Sequence, residues 1–220
     1  MNLALCSIET SSARQLPLHR LHITSVSTIH EMASKLSLTS TIALPNSSYK
    51  IPRLGFGVYQ SHGPTCIQSC LTALKVGYRH IDSAQYYANE EQVGKAIKES
   101  KIPRSELYIT TKVLSPGNDV DSTYKSILES VKKIDDSENG YVDLFLIHSP
   151  NGGKDARKTM WLALEKAKES GQVRDIGVSN YGKGHIEEIK SFGKVWPPAI
   201  NQIEVGLSFR KLRTRAGNIG

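Results

Sequence analysis

The chain of 220 residues carries a formal net charge of +7, and 39% of its residues are hydrophobic while 22% are charged. This length and composition are typical of one globular domain with a substantial core. The sequence contains no apolar run of about 18 residues or more, so it predicts no membrane-spanning helix.

The positive charge is concentrated at the two ends of the chain. Residues 1–50 contribute +2 and residues 207–220 contribute +4, which leaves +1 for residues 51–206. A basic nucleic-acid-binding surface on the folded domain is therefore not predicted, although the basic tail could bind polyanions without specificity.

The first part of the chain differs in composition from the rest. Residues 1–31 are rich in Ser, Thr, Leu and His and lack the apolar core of a secretory signal. They resemble a mitochondrial transit peptide only loosely, because arginines are few and no amphipathic face is evident. We interpret residues 1–35 as a disordered extension, with Met32 as the natural start, and expect a cytoplasmic protein whose folded domain covers residues 36–206.

The folded domain is predicted to open with a β-hairpin. Strand-forming residues flank a Pro-Asn-Ser-Ser turn within residues 38–53. The next strand, residues 54–58, contains Gly55 and Gly57, which let another group approach the backbone closely. A single Gly-x-Gly is weak support for a phosphate loop.

Predicted helices and strands then alternate along the chain. Helices are predicted at 65–76, from Glu90 onward, at 119–134, 156–169 and 183–192. Six strands are predicted at 54–58, 78–82, 107–112, 142–147, 173–178 and 199–204. This alternation indicates right-handed βαβ units and a parallel sheet, hence an α/β protein.

The cysteines allow two interpretations. The three of them form no paired motif, which is typical of a reducing compartment. Cys66 and Cys70 lie four residues apart on a predicted helix, a spacing that suits either a metal pair or two small core residues. The core interpretation is favoured because no third ligand lies nearby.

Polar residues stand where the predicted strands end. They are Asp82, Lys112, His148, the Ser179-Asn180 pair and Gln202. Each alone has a simpler explanation, such as a surface lysine, a hydrogen-bonded core histidine or a helix cap. In a parallel barrel, however, all carboxyl ends of the strands meet at one rim, so together these residues predict a site there.

Tyr87 follows Asp82 at a strand-to-helix turn, and the two residues suggest the chemistry of that site. A phenol ordinarily has a pKa of about 10, and a nearby Lys112 ammonium would lower it. Asp82 would orient the lysine, and His148 could donate a hydrogen bond to a carbonyl oxygen. With no evident nucleophile or metal set, carbonyl reduction by an external hydride fits better than acyl transfer or metal hydrolysis.

Five blocks of the sequence resemble those of the aldo-keto reductase family, in order and with similar spacing. They are GYRHIDSAQYYANEEQVG, LYITTKV, YVDLFLIHSP, GQVRDIGVSN and PAINQIEV, and the resemblance covers about residues 38–205. It implies a (β/α)8 TIM barrel, NADPH as the hydride donor, and reduction of a small aldehyde or ketone to an alcohol.

The resemblance also implies roles for individual residues. It assigns a catalytic tetrad, with Tyr87 as the general acid, to Asp82, Tyr87, Lys112 and His148. It implies that the nicotinamide carboxamide is held by Ser179, Asn180 and Gln202, and that Asp82 also lies beside the nicotinamide ribose. The family often has an aromatic residue at the position of Ser149, which implies a wider substrate pocket here. Tyr59, Tyr86 and Phe56 could line that pocket or serve as packing residues.

The sequence departs from the family after Glu204. Where the family continues with a His-Pro step and about another third of the barrel, this chain reads VGLSFRKLRTRAGNIG. We interpret residues 207–220 as a basic tail from outside the family, from a retained intron or a frameshift. The expected barrel is incomplete, with six of eight strands, so the alternative to a reductase is an inactive fragment or one that acts only through protein contacts.

Overall fold

The structure is a computed structural model that describes residues 37–204. The predicted extension at residues 1–35 and the predicted basic tail at residues 207–220 lie outside the described residues, so both stay predictions. Within the described range no helix is both long enough and apolar enough to cross a membrane.

The strands form two separate sheets. An antiparallel hairpin consists of β1 (Thr41–Ala43) and β2 (Lys50–Pro52), with Ile42 opposite Ile51. The second sheet is parallel, and its strands follow one another in chain order: β3 (Phe56–Gly57), β4 (His80–Asp82), β5 (Tyr108–Val113), β6 (Val142–Ile147), β7 (Val173–Ser179) and β8 (Asn201–Gln202). This sheet curls into an open half-barrel.

A helix connects each pair of neighbouring strands from β3 to β8. The helices are α1 (Gly63–Lys75), α2 (Glu90–Ser100), α3 (Val120–Ile134), α4 (Gly153–Glu169) and α5 (Lys183–Ile189). Two single 3-10 turns, Gln85–Tyr87 and Arg104–Glu106, precede α2 and β5. The predicted alternation is thus confirmed, and the observed strands at both edges are shorter than the predicted 54–58 and 199–204.

Each helix lies on the sheet because one of its faces is apolar. In α2, for example, Val93, Ala96 and Ile97 recur at helical spacing and are all buried. At the end of α1, Gly77 has a φ of +109°, and its N–H donates to the Leu74 carbonyl at 3.1 Å. This left-handed residue ends the helix as predicted.

The hairpin closes the amino end of the half-barrel. Leu44 and Ile51 pack against the interior side chains Tyr108, Leu144 and Leu146. The Ser47 hydroxyl donates to Asp175 Oδ2 at 2.6 Å, near the start of β7. The carboxyl ends of the strands are left for other contacts, and these ends carry the predicted site.

Candidate active site

A buried ion pair lies at the centre of the rim. Lys112, on β5, is 2% exposed, and its Nζ donates to Asp82 Oδ1 at 2.5 Å and to the Ser83 carbonyl at 2.9 Å. Asp82 is the last residue of β4, the strand that pairs with β5. The carboxylate and the carbonyl thus hold the buried ammonium in a fixed direction.

Tyr87 sits beside this ion pair. Its 3-10 turn follows β4 directly, and its hydroxyl accepts a hydrogen bond from Lys112 Nζ at 3.4 Å. Burial raises the pKa of Tyr87 above its ordinary value, and the opposing effect of the Lys112 ammonium is smaller. The Lys112 ammonium thus lowers the pKa as expected, but desolvation, which the sequence did not reveal, outweighs it. The hydroxyl accordingly stays protonated at neutral pH.

His148 lies on the other side of the Tyr87 ring. It follows β6, and its backbone N–H donates to the Val113 carbonyl at 3.1 Å. The two rings meet edge to face, with centroids 5.6 Å apart. Burial lowers the pKa of His148, and the Lys112 ammonium lowers it further, so the imidazole is neutral at pH 7. Its Nδ1 is buried and has no hydrogen-bond partner within residues 37–204.

The polar residues at the ends of β7 and β8 join the same group. Gln202 Nε2 donates to Asp82 Oδ2 at 2.9 Å, which links β8 to the ion pair. Asn180 donates its backbone N–H to the Gln202 carbonyl at 2.9 Å and its side-chain N–H to Ser179 Oγ at 3.3 Å. The structure thus brings all seven predicted site residues together, while their roles stay predictions.

Two of the three aromatic candidates border this group. The Tyr59 ring lies 5.0 Å from the Tyr87 ring, and the Tyr86 ring lies 5.9 Å from the His148 ring. Both are more than half exposed, at 53% and 59%. Phe56 instead meets Tyr78 edge to face at 6.2 Å and packs on the core. Tyr59 and Tyr86 therefore remain candidates for the pocket, and Phe56 is a packing residue.

Sequence reasoning missed Ser83 and Asn89, which hold the loops under the site. The Ser83 hydroxyl donates to Asn89 Oδ1 at 2.7 Å, while Asn89 Nδ2 donates to the carbonyls of Val58 and Ser61, each at 2.8 Å. Asn89 is fully buried and makes no side-chain cap, although it directly precedes α2. Its position before a helix predicts a cap, so no local signal pointed to these contacts.

Cys66 and Cys70 are core residues of α1. Both are fully buried, as the favoured interpretation predicts. The hydrogen-bonding interaction between the two thiols lowers the pKa of Cys66, and together with burial it raises that of Cys70. The described part of the chain contains no group of three or more His, Cys, Asp or Glu residues that could hold a metal ion.

Comparisons with known proteins agree on one family. The model of the aldo/keto reductase family matches residues 53–215. Glyoxal reductase of Bacillus subtilis is 40% identical over 169 residues, which cover 76% of this chain and 59% of that protein. An uncharacterized oxidoreductase of Schizosaccharomyces pombe is 42% identical over 165 residues, covering 73% of this chain and 57% of that one. The chain thus spans about three fifths of the length of these curated relatives.

Solved structures give the same result. An aldo/keto reductase from Brucella melitensis superposes with a TM-score of 0.69 at 43% identity, covering 76% of this chain and 63% of that one. An aldo-keto reductase of Bombyx mori in complex with NADP gives 0.67 at 32% identity, covering 76% and 58%. These neighbours confirm the predicted fold class, an incomplete TIM barrel.

Proposed function

Because the chain belongs to the aldo/keto reductase family, we propose that it is an NADPH-dependent reductase that converts an aldehyde or ketone to an alcohol. The observation that carries the proposal is the position of Lys112, whose Nζ contacts both the Asp82 carboxylate and the Tyr87 hydroxyl. This arrangement suits the delivery of a proton to an oxygen that is gaining negative charge.

Tyr87 would be the proton donor. Its hydroxyl is protonated at neutral pH, as a general acid requires; burial raises its pKa and so opposes release of the proton, whereas the Lys112 ammonium favours it. When the proton leaves, the phenolate forms 3.4 Å from the Lys112 ammonium, which stabilises the negative charge. Asp82 Oδ1 accepts from the ammonium and keeps it in place. The other carboxylate oxygen, Oδ2, accepts a hydrogen bond from Gln202, which fixes Asp82 in turn.

His148 would orient the substrate carbonyl. A neutral imidazole carries one N–H donor and one acceptor, so it can donate a hydrogen bond to a carbonyl oxygen without adding a positive charge. Its ring meets the Tyr87 ring edge to face with centroids 5.6 Å apart, which would let both donors reach one carbonyl oxygen. Two donors that converge on one oxygen stabilise the developing alkoxide.

The rim also carries groups that fit a nicotinamide carboxamide. Within the described residues, the Ser179 hydroxyl proton and Gln202 Oε1 have no partner, which leaves a donor and an acceptor side by side on paired strands. A carboxamide offers a complementary acceptor and donor. NADPH bound there would supply the hydride for carbonyl reduction, and a relative of this family has been solved in complex with NADP.

A small carbonyl compound would be the substrate. The relative named glyoxal reductase favours a small aldehyde. The exposed rings of Tyr59 and Tyr86 would supply apolar walls next to Tyr87 and His148. Ser149, directly after His148, would leave that side of the pocket wide.

Thermal unfolding of the 220-residue chain with and without NADPH tests this proposal. A ligand at about 100 times its Kd stabilises the folded state by about 2.7 kcal/mol, so the midpoint should rise by several degrees. NADPH should raise it for Tyr87→Phe as well, and ATP at the same concentration should not. A cooperative transition whose midpoint NADPH does not change would contradict cofactor binding. If the chain shows no cooperative transition, the result would favour the inactive fragment.

A further inference from the structure

Two polar residues bracket Tyr87 in the chain and point away from the rim. Gln85 opens the 3-10 turn that carries Tyr87, and Glu90 opens the helix α2 that follows it. Neither was a candidate site residue, and neither contacts Asp82, Lys112 or Tyr87 by a hydrogen bond. Both are tied instead to α3 and β5.

Gln85 uses both ends of its amide. Its Nε2 donates to the hydroxyls of Ser126 and Ser130 on α3, each at 3.0 Å. Its Oε1 accepts from the backbone N–H of Leu114, which follows β5, at 3.0 Å. The turn before Tyr87 is therefore fixed to a helix on one side and to the end of a strand on the other.

Glu90 completes a ring of hydrogen bonds. The carboxylate is only 3% exposed, and its Oε2 accepts from the same Ser130 hydroxyl at 3.1 Å. Its Oε1 accepts from the Thr111 hydroxyl at 2.6 Å. Because Thr111 directly precedes Lys112 in β5, the ring returns through the strand to Leu114 and Gln85. Burial raises the pKa of Glu90, and the two hydroxyl donors oppose that rise.

The ring of Tyr87 packs against its neighbours, but its hydroxyl is held only by a long hydrogen bond. The Lys112–Tyr87 contact, at 3.4 Å, is the longest of the three hydrogen bonds that Nζ makes. The Tyr87 turn is a single 3-10 turn, and the next residue, Ala88, has a φ of +52°, a left-handed conformation that is unfavourable for alanine. Such a backbone persists only where its surroundings determine it.

From these contacts we propose that Gln85, Glu90 and Ser130 are positioning residues that hold the Tyr87 hydroxyl within reach of Lys112. This inference rests on the proposed role of Tyr87 as proton donor. The ring of hydrogen bonds does not contact Tyr87 or Lys112 directly, but it includes residues close to each of them in the chain. Gln85 and Glu90 flank Tyr87, while Thr111 is covalently next to Lys112. One hydrogen-bonded ring thus sets the distance between two side chains that it does not touch.

Titration of Tyr87 in the full 220-residue chain separates positioning from a merely structural role. Tyrosine labelled with 13C at Cζ gives one NMR signal per ring, and Tyr87→Phe identifies the signal of Tyr87. In Gln85→Ala and Glu90→Gln, the loosened turn should let the phenol reach water, so its titration midpoint should fall toward the ordinary value of about 10. Circular dichroism defines the pH range in which each variant stays folded.

Glu129→Gln is the matched control for Glu90→Gln. Glu129 lies on α3 next to Ser130, is exposed, and its side chain makes no hydrogen bond or ion pair within residues 37–204. Its variant should leave the Tyr87 midpoint unchanged. Where Glu90→Gln fails to fold, Ser130→Ala removes two bonds of the same ring with a smaller change. A variant of the ring that lowers the thermal midpoint and leaves the Tyr87 titration as in the control would overturn the proposal.

Turnover gives a second, independent readout. If the chain reduces a carbonyl, each ring variant should lower kcat by about tenfold and leave KM nearly unchanged, because only the proton transfer is misaligned. The double variant Gln85→Ala/Glu90→Gln should lose less than the product of the two single losses, since both break the same ring. The titration needs neither cofactor nor turnover, so it tests the ring even if the reductase proposal fails.

Discussion

The two ends of the parallel sheet both carry buried charged groups, and these groups have different surroundings. At the amino end, Asp143 accepts hydrogen bonds from Arg104, Arg174 and the Ile109 N–H, at 2.8, 2.8 and 2.9 Å. Both guanidinium groups also stack on the Tyr141 ring. Both carboxylate oxygens of Asp143 thus accept hydrogen bonds from groups of the chain itself, as expected for an ion network with a structural role.

At the carboxyl end, by contrast, part of the hydrogen-bonding capacity is left over. The Lys112–Asp82 pair is satisfied, but His148 Nδ1 has no partner among the described residues. Tyr87 accepts one long hydrogen bond and keeps its proton free to donate. A buried nitrogen without a partner is costly, and beside a phenol that is free to donate it leaves hydrogen-bonding capacity for a ligand at this end.

Tyr87→Phe should remove the chemistry of the rim and leave the fold intact. Loss of a general acid lowers kcat by about 10²–10⁴-fold, whereas the lost 3.4 Å hydrogen bond should change the free energy of unfolding by less than about 1 kcal/mol. Reduction of a panel of small aldehydes and urea unfolding measure the two quantities. An equal rate in the variant would mean that Tyr87 is not the proton donor.

His80 should make the free energy of unfolding fall in acid, because its imidazole is buried. It lies two residues before Asp82 on the same face of β4. Burial lowers the pKa of His80 to about 4 from the ordinary 6.5. The unfolded chain therefore binds this proton more tightly, so the free energy of unfolding should fall by about 3 kcal/mol as the pH drops from 6.5 to 4.

The control for that pH dependence is His80→Gln. A glutamine amide can still bond Thr110, whose hydroxyl lies 2.8 Å from His80 Nε2, but it does not titrate. Urea unfolding of both chains between pH 4 and 8 should give a flatter profile for the variant. Equal slopes below pH 6.5 would assign the acid sensitivity to other groups.

Asp143→Asn should destabilise the amino end and leave the rim unchanged. It leaves two arginines without their shared carboxylate, which should cost about 2 kcal/mol because both guanidinium groups remain partly exposed. The Tyr87 titration should not move. Asp121→Asn, which breaks an exposed pair with Lys166, is the matched control and should leave urea unfolding unchanged. A shifted Tyr87 midpoint would show that the two ends are coupled.

Gly77→Ala should give the smallest effect, confined to the connection between α1 and β4. A Cβ at Gly77 has room, since its nearest neighbour is Leu38 Cδ1 at 3.5 Å, so the cost comes from the φ of +109° and is about 1 kcal/mol. Gly184→Ala is the control, because Gly184 lies within α5 without a positive φ and has open space around it. Equal unfolding midpoints for the two variants would contradict this explanation.

The sequence alone determined the alternation of strands and helices and the placement of polar residues at the strand ends. Both are local properties, because periodicity fixes an element and the position within a parallel strand fixes the end of the sheet that a side chain reaches. The pairing of Asp82 with Lys112 and the approach of Gln202 could be predicted in this way. The family resemblance added which strand-end residues belong together.

The rest of the site depends on how distant segments pack together. The pKa of Tyr87 rises because burial outweighs the lysine, and burial is set by the packing of distant segments. The ring through Glu90 and Ser130 joins residues 40 apart in the chain, and Asn89 holds Val58 across 31 residues. Such contacts leave no period or motif in the sequence, since each depends on where the fold brings a single polar group.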